Sequence, residues 1–282
     1  MELQGRVEEL TEAGIGVAAI SYDSVDLLAS FAEERGITYA LLSDVGSAVI
    51  TEYGIRNTVA DELAAGESDD PVLLADEAYV GGSYAVGTPY PGSFILDTDN
   101  RVTSRHFEKS YRERNTTANV MLQLGMDVEP VSALTASPPQ LTYTIYPSDT
   151  KVAVGSRFSI AVKVEPKEDM HLYAPGAEEN GYRVIGLKLD SNPNFRYQPV
   201  AYPESEIYYF EPLDERVPVY QSDFTLLQEV IVETTAESRD LLAELEELTL
   251  TGSFEYQACD HEICYLPESV PLSFTFDIVR RD

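Results

Sequence analysis

LTLTGSFEYQACDHEICYLPESVPLSFTFDIV, residues 248–279, decides how the second half of the chain folds. Before the cysteines, Leu248, Leu250, Phe254 and Tyr256 alternate with polar residues, and after them Leu272, Phe274 and Phe276 do the same. A period of two is that of strands with one face buried. Between the two runs lie Cys259 and Cys264, the only cysteines of the chain. Working outward, LTYTIYP (141–147), RFSIAVKVEP (157–166), RVIGLKLD (183–190) and FTLLQEVIVE (224–233) continue the alternation between turn residues. Short strands so spaced predict an antiparallel β-sandwich over 141–282. ESRDLLAELEE (237–247) is the one helical interruption, and DVEPVSALTASPPQ (127–140) reads as a Pro/Ser/Ala linker.

Residues 1–126 have a different character. GVAAISYD (16–23) and ITYALLSD (37–44) are short apolar runs ending in polar residues, as buried parallel strands do. VDLLASFAEERG (25–36) lies between them as a helix capped by Asp23 or Ser24 and stopped at Gly36. GSAVITEYGI (46–55) predicts a second helix, and 56–90 an acidic loop with one helical turn. PGSFILDTDNRVTSRHFE (91–108) predicts a hairpin, and RERNTTANVMLQLG (112–125) a closing helix. The order is that of an α/β domain.

The length of 282 residues suits two domains. There are 49 acidic against 19 basic side chains, a formal charge of −30, which disfavours nucleic acid and anionic membranes as partners. No acidic tail accounts for it: residues 1–130 hold 23 acids and 8 bases, residues 131–282 hold 26 and 11. No apolar run approaches the ~20 residues of a membrane span, and the opening lacks the basic and apolar regions of a signal peptide. Instead Met1 leads into ELQGRVEELTEAG, with Leu3, Val7 and Leu10 at helical spacing. A start inside an amphipathic helix suggests a chain lacking the front of its first domain.

ELQGRVEELTEAGIGVAAISYDS (2–24), LLSDVGSAVITEYGI (41–55) and TPYPGSFILDTDNRV (88–102) make the first half resemble the redoxin group of the thioredoxin superfamily, AhpC/TSA or peroxiredoxin-like. The resemblance implies a thioredoxin-like fold, incomplete at its N-terminus, with Pro91 where that superfamily places a cis-proline facing its active-site cysteines. Such domains act through a cysteine at the start of their first helix, where free N–H groups and the helix dipole favour the thiolate. Here no cysteine precedes Cys259. The domain is therefore expected to be truncated, or a relic that binds without chemistry.

FEYQACDHEICYLPES (254–269), with HLYAP (171–175), resembles the N-terminal, immunoglobulin-like domain of the thiol:disulfide interchange protein DsbD. In that family two cysteines cycle between dithiol and disulfide, passing electrons to thioredoxin-like partners. The resemblance makes Cys259 and Cys264 the reacting pair, flanked by Tyr256, Gln257, Tyr265, Pro267 and Glu268. It matches Tyr173 to an active-site tyrosine and gives the loop 202–220 a shielding aromatic, Phe210 or a neighbouring tyrosine. It implies an extracytoplasmic, periplasmic setting, no metal and no cofactor.

Read from the residues themselves, the pair admits three roles: a redox couple, a structural disulfide, or part of a metal site. A C-x4-C turn can bring the Cα atoms within bonding range. Closing so short a loop removes little chain entropy, which favours exchange over stapling. Zinc wants four ligands, and only Cys259, His261 and Cys264 cluster. Asp260 and Glu262 should raise the thiol pKa values, and a protonated His261 should lower them. Cys264 is the expected attacking thiol. His106 and His171 read as surface or packed residues. The competing reading is a non-catalytic binding module: a degenerate redoxin scaffold joined to a sandwich held by a structural disulfide.

Overall fold

The computed structural model describes residues 2–66, 87–107, 113–211 and 214–280. It divides into two compact units, Met1–Thr117 and Ala118–Asp282.

The first unit opens with helices α1 (Glu2–Gly5) and α2 (Val7–Glu12), then strand β1 (Ala18–Ser21), helix α3 (Val25–Arg35) and strand β2 (Ala40–Ser43). β1 and β2 pair in parallel, Ala18 opposite Ala40 and Ser21 opposite Ser43, with α3 as the crossover. Of the two expected caps, Ser24 acts: its side chain accepts from the Leu27 N–H, and Gly36 ends α3 in the left-handed region at φ 61°. Helix α4 (Ala48–Glu52) begins over the buried carboxylate of Asp44, which accepts from the N–H groups of Val49 and Ile50 at 3.2 and 2.8 Å. The stretch expected as a loop holds more helix than one turn, α5 (Thr58–Ala65), while its residues 67–86 lie outside the described residues. Strands β3 (Gly92–Leu96) and β4 (Val102–Phe107) form the expected hairpin. Its turn is held by Asp97, whose carboxylate accepts from the N–H groups of Asp99 and Arg101, both at 2.9 Å. A two-residue strand β5 (Arg114–Asn115) follows.

Pro91 departs from expectation: among the described residues no peptide bond is cis, so the Tyr90–Pro91 bond is trans. Pro91 stands just before β3, whose ladder begins at Gly92 opposite Phe107, so its missing N–H leaves no gap in the pairing.

Helix α6 (Thr117–Gln123), expected to close the first domain, packs within the second unit. Asn119 and Gln123 donate to Glu229 at 3.1 and 2.7 Å, and Ser159 donates to Asn119 at 2.5 Å. These bonds place the division before the expected boundary at 126. Part of the expected linker is also structured, as strand β6 (Leu134–Ala136).

The second unit contains β7 (Leu141–Pro147), β8 (Lys151–Val152), β9 (Ser156–Pro166), β10 (His171–Tyr173), β11 (Gly186–Leu189), β12 (Phe195–Ala201), β13 (Glu206–Phe210), β14 (Glu215–Tyr220) and β15 (Phe224–Val232). Helix α7 (Ala236–Glu244), capped by Thr235, then precedes β16 (Glu247–Tyr256), β17 (Ala258–Cys259) and β18 (Glu268–Ile278). One sheet runs β12-β15-β9-β7-β6, and a second runs β11-β16-β18-β8. Their facing sides form one core in which Phe158, Phe254 and Phe276 are wholly buried. Aromatic contacts bridge the sheets, Tyr143 to Phe254 at 5.3 Å and Phe158 to Phe276 at 4.8 Å. Each such ring contributes about 1.5–3 kcal/mol on burial. A third sheet of short strands, β13-β14-β10-β17, carries Cys259.

Candidate functional site

The cysteines are joined, Cys259 Sγ to Cys264 Sγ. They face each other as an isolated antiparallel pair, with Asp260 N–H donating to Ile263 O at 3.0 Å and Tyr265 N–H to Ala258 O at 2.9 Å. That pattern makes them a non-hydrogen-bonded pair, the position where opposed residues come closest, and their Cα atoms are 4.0 Å apart. The turn between them is organised by Asp260. One carboxylate oxygen accepts from the N–H groups of Glu262 and Ile263, both at 2.7 Å, and the other accepts from the Tyr265 hydroxyl at 2.9 Å. These donors, the Ile263 and Glu262 N–H groups foremost, hold its carboxyl below the usual range. Gln257 braces the returning chain by donating to Tyr265 O at 3.0 Å.

The two sulfurs differ in access. Cys259 is 1% exposed, whereas Cys264 is solvent-exposed. The difference follows from the strands: Cys259 belongs to β17, paired inside the small sheet, and Cys264 lies on the outer arm of the turn.

Strand β10 shows how period two sorts the side chains. Leu172, opposite Ala258 and Tyr220, joins the sandwich core, while Tyr173, opposite Val219, packs in a second cluster with Cys259. The Tyr173 hydroxyl stands 3.1 Å from Cys259 Sγ and 3.3 Å from Cys264 Sγ. Burial, above all, pushes its pKa well above the ordinary phenol value, so it stays protonated and available as a donor. Its ring stacks on Tyr182 at 4.2 Å, and Tyr182 donates to Glu215 at 2.7 Å. Burial, with that bond to Glu215, pushes the Tyr182 pKa up to about 12.

A cavity opens against the disulfide, and Phe210 and Tyr208 of β13 line it together with Tyr173. Two aromatics of the loop from which a shield was expected thus lie at this cavity, and residues 212–213 of that loop lie outside the described residues. Tyr256 is not brought there. It points into the sandwich core against Phe254 and Tyr143, at 5.2 and 6.4 Å, because the alternation of β16 buries it. His171, read from sequence as surface or packed, is 3% exposed and lines the cavity. The signal for it was available: two residues before Tyr173 on a strand, it must share that residue's face.

Fold and site together define a chain with an α/β unit ahead of a disulfide-bearing β-sandwich. Residues 1–105 match the family described as AhpC/TSA, and residues 144–274 match that described as the N-terminal part of the thiol:disulfide interchange protein DsbD. The chain is thus a redoxin domain followed by a DsbD N-terminal domain, with both cysteines in the latter. Comparison with curated proteins found no match. Among solved structures, the chain is similar to the N-terminal periplasmic domain of ScsB from Proteus mirabilis, at 13% identity and a TM-score of 0.35. The similarity covers 52% of this chain and 50% of that one. No helix among the described residues is long and apolar enough to cross a membrane.

Proposed function

We propose that this chain exchanges electrons with a thioredoxin-like partner through the Cys259–Cys264 disulfide, and that Cys264 is the sulfur attacked. The unequal exposure of the two sulfurs carries this reading. A partner thiolate reaches Cys264 Sγ and forms a mixed disulfide, and the electron pair of the broken bond passes to Cys259 Sγ, which then takes a proton. A second partner thiolate attacks the partner's own sulfur in the mixed disulfide and releases Cys264. The partner leaves as a disulfide, and two electrons remain here as a dithiol. The Tyr173 hydroxyl, within reach of both sulfurs, donates to whichever carries the charge. An oxidising, extracytoplasmic setting suits the resting disulfide.

Equilibration in graded thiol buffers tests the reading, with a midpoint expected between about −120 and −270 mV. In parallel, Cys259→Ser should trap a thioredoxin-like protein as a mixed disulfide and Cys264→Ser should not. A midpoint below about −300 mV without trapping would make the sandwich a binding module held by a structural disulfide.

A further inference from the structure

We infer that His171 is the proton acceptor and donor for Cys259, the buried sulfur of the pair; the inference rests on the exchange reaction proposed above. His171 of β10 lies directly opposite Cys259 of β17 in antiparallel register. Residues so paired project from the same face of the sheet with Cβ atoms about 4.5–5.5 Å apart. Both also line the one cavity, with Tyr173 and Cys264. The imidazole is held there by aromatic contacts, stacked on Tyr208 at 4.6 Å and against the edge of Tyr173 at 5.5 Å.

Cys259 needs such a group. At 1% exposure its thiolate is poorly solvated, and a buried, uncompensated charge is costly. The other titratable groups around this space are engaged elsewhere or stand away from the sulfur. Tyr173 stays protonated. Asp260 stays ionised, committed to two backbone N–H groups and the Tyr265 hydroxyl. Glu215 accepts from Tyr182. Glu262 and His261 stand on the exposed tip of the turn, with side chains 78% and 70% exposed. An imidazole ordinarily titrates in this range. Burial, the largest influence on His171, favours its neutral form, while the charge of Asp260 favours the cation. With the disulfide closed, the neutral ring is a base awaiting a proton.

The sequence balances in both directions. When the domain is oxidised by a partner disulfide, Cys264 thiolate attacks it and a partner thiolate departs. Neutral His171 then takes the Cys259 thiol proton. The resulting thiolate attacks Cys264 Sγ, closes the ring and displaces the second partner thiolate, and His171 passes its proton to water. When the disulfide is reduced, protonated His171 delivers that proton to the departing Cys259 sulfur.

The test follows the fully reduced chain mixed with dipyridyl disulfide, whose released thiol absorbs light. The first equivalent reports attack by exposed Cys264, the second ring closure by Cys259. With His171→Phe, ring closure should slow at least tenfold, a general base being worth about 10²–10⁴-fold. Its pH midpoint should move to higher pH while the first phase stays unchanged. His171→Gln should behave as His171→Phe does, because an amide takes no proton, and His261→Gln should leave both phases intact. As a check without substitution, the chain has three histidines to follow by NMR, and His171 should titrate at higher pH in the reduced than in the oxidised protein. Unchanged ring closure in His171→Phe, rescue by His171→Gln, slowing by His261→Gln, or identical His171 titration in the two redox states would each overturn the assignment. Absence of both phases from the unsubstituted protein would instead remove the exchange reaction itself.

Discussion

Tyr173 meets Cys259 from the neighbouring part of the small sheet, its hydroxyl 3.1 Å from a sulfur that is itself almost wholly buried. A phenol so placed stabilises the reduced form whenever Cys259 is ionised. A hydrogen bond to a charged group contributes about 1.5–3 kcal/mol. Where the buffer is alkaline enough to ionise Cys259 in the reduced protein, Tyr173→Phe should therefore lower the midpoint potential of the pair by about 30–60 mV, with the sandwich still folded. Equilibration in thiol buffers measures it, and an unchanged midpoint would deny the hydroxyl this role.

Asp260 gives the turn a pH dependence. Its pKa in the folded chain is lowered from the ordinary 3.8, so its stabilisation is complete above that value and is lost as pH falls through the lower, folded one. Hydrogen exchange at the Glu262 and Ile263 amides should therefore show weakened protection only in strongly acidic solution. Asp260→Asn, which keeps a carbonyl acceptor, should preserve most of the protection at neutral pH, and Asp260→Ala should abolish it.

Gly252 allows no side chain. A Cβ there would stand 2.5 Å from the Lys188 carbonyl oxygen and 2.9 Å from Leu189 Cα, so strand β11 would have to shift. Gly252→Ala should destabilise the sandwich by about 1–3 kcal/mol, read as a lower urea midpoint. Equal midpoints would mean that β11 yields freely.

Glu229 is the anchor of helix α6. It accepts from Asn119 and Gln123 and pairs with Arg157 at 3.3 Å, with the Arg157 side chain 8% exposed. Glu229→Ala leaves these donors without that acceptor, at a cost of about 1–3 kcal/mol. Helix α6 should lose amide protection before the sheets do. Retained protection in α6 would show that Glu229 is not what secures it.

The sequence made much of this legible. Alternation drew the strands around the cysteines, and the resemblance carried by the cysteine turn and HLYAP singled out Tyr173 and, from the loop 202–220, Phe210 or a neighbouring tyrosine; Tyr173, Tyr208 and Phe210 all line the cavity at the disulfide. Tyr256 was misplaced because proximity along the chain says nothing about which face a strand residue occupies. The alternation of β16, which buries Phe254 and Tyr256 together, turns it inward. His171, read as surface or packed, was not placed beside the sulfurs because a lone histidine carries no motif, although its spacing from Tyr173 held the answer. Helix α6, read as closing the first domain, is tied to Ser159 and Glu229, far along the chain, by polar contacts that no local pattern announces.

The two backbone hydrogen bonds across the cysteine turn involve neither sulfur, and Asp260 fixes its tip separately. The exchange proposed above should therefore demand little reorganisation of the main chain, because the loop has bonds of its own besides the one made and broken. Oxidised and reduced domains should offer visitors nearly the same contour. On that proposal, what distinguishes them would be read at the sulfur atoms, and a partner giving electrons and one collecting them would meet one and the same fit.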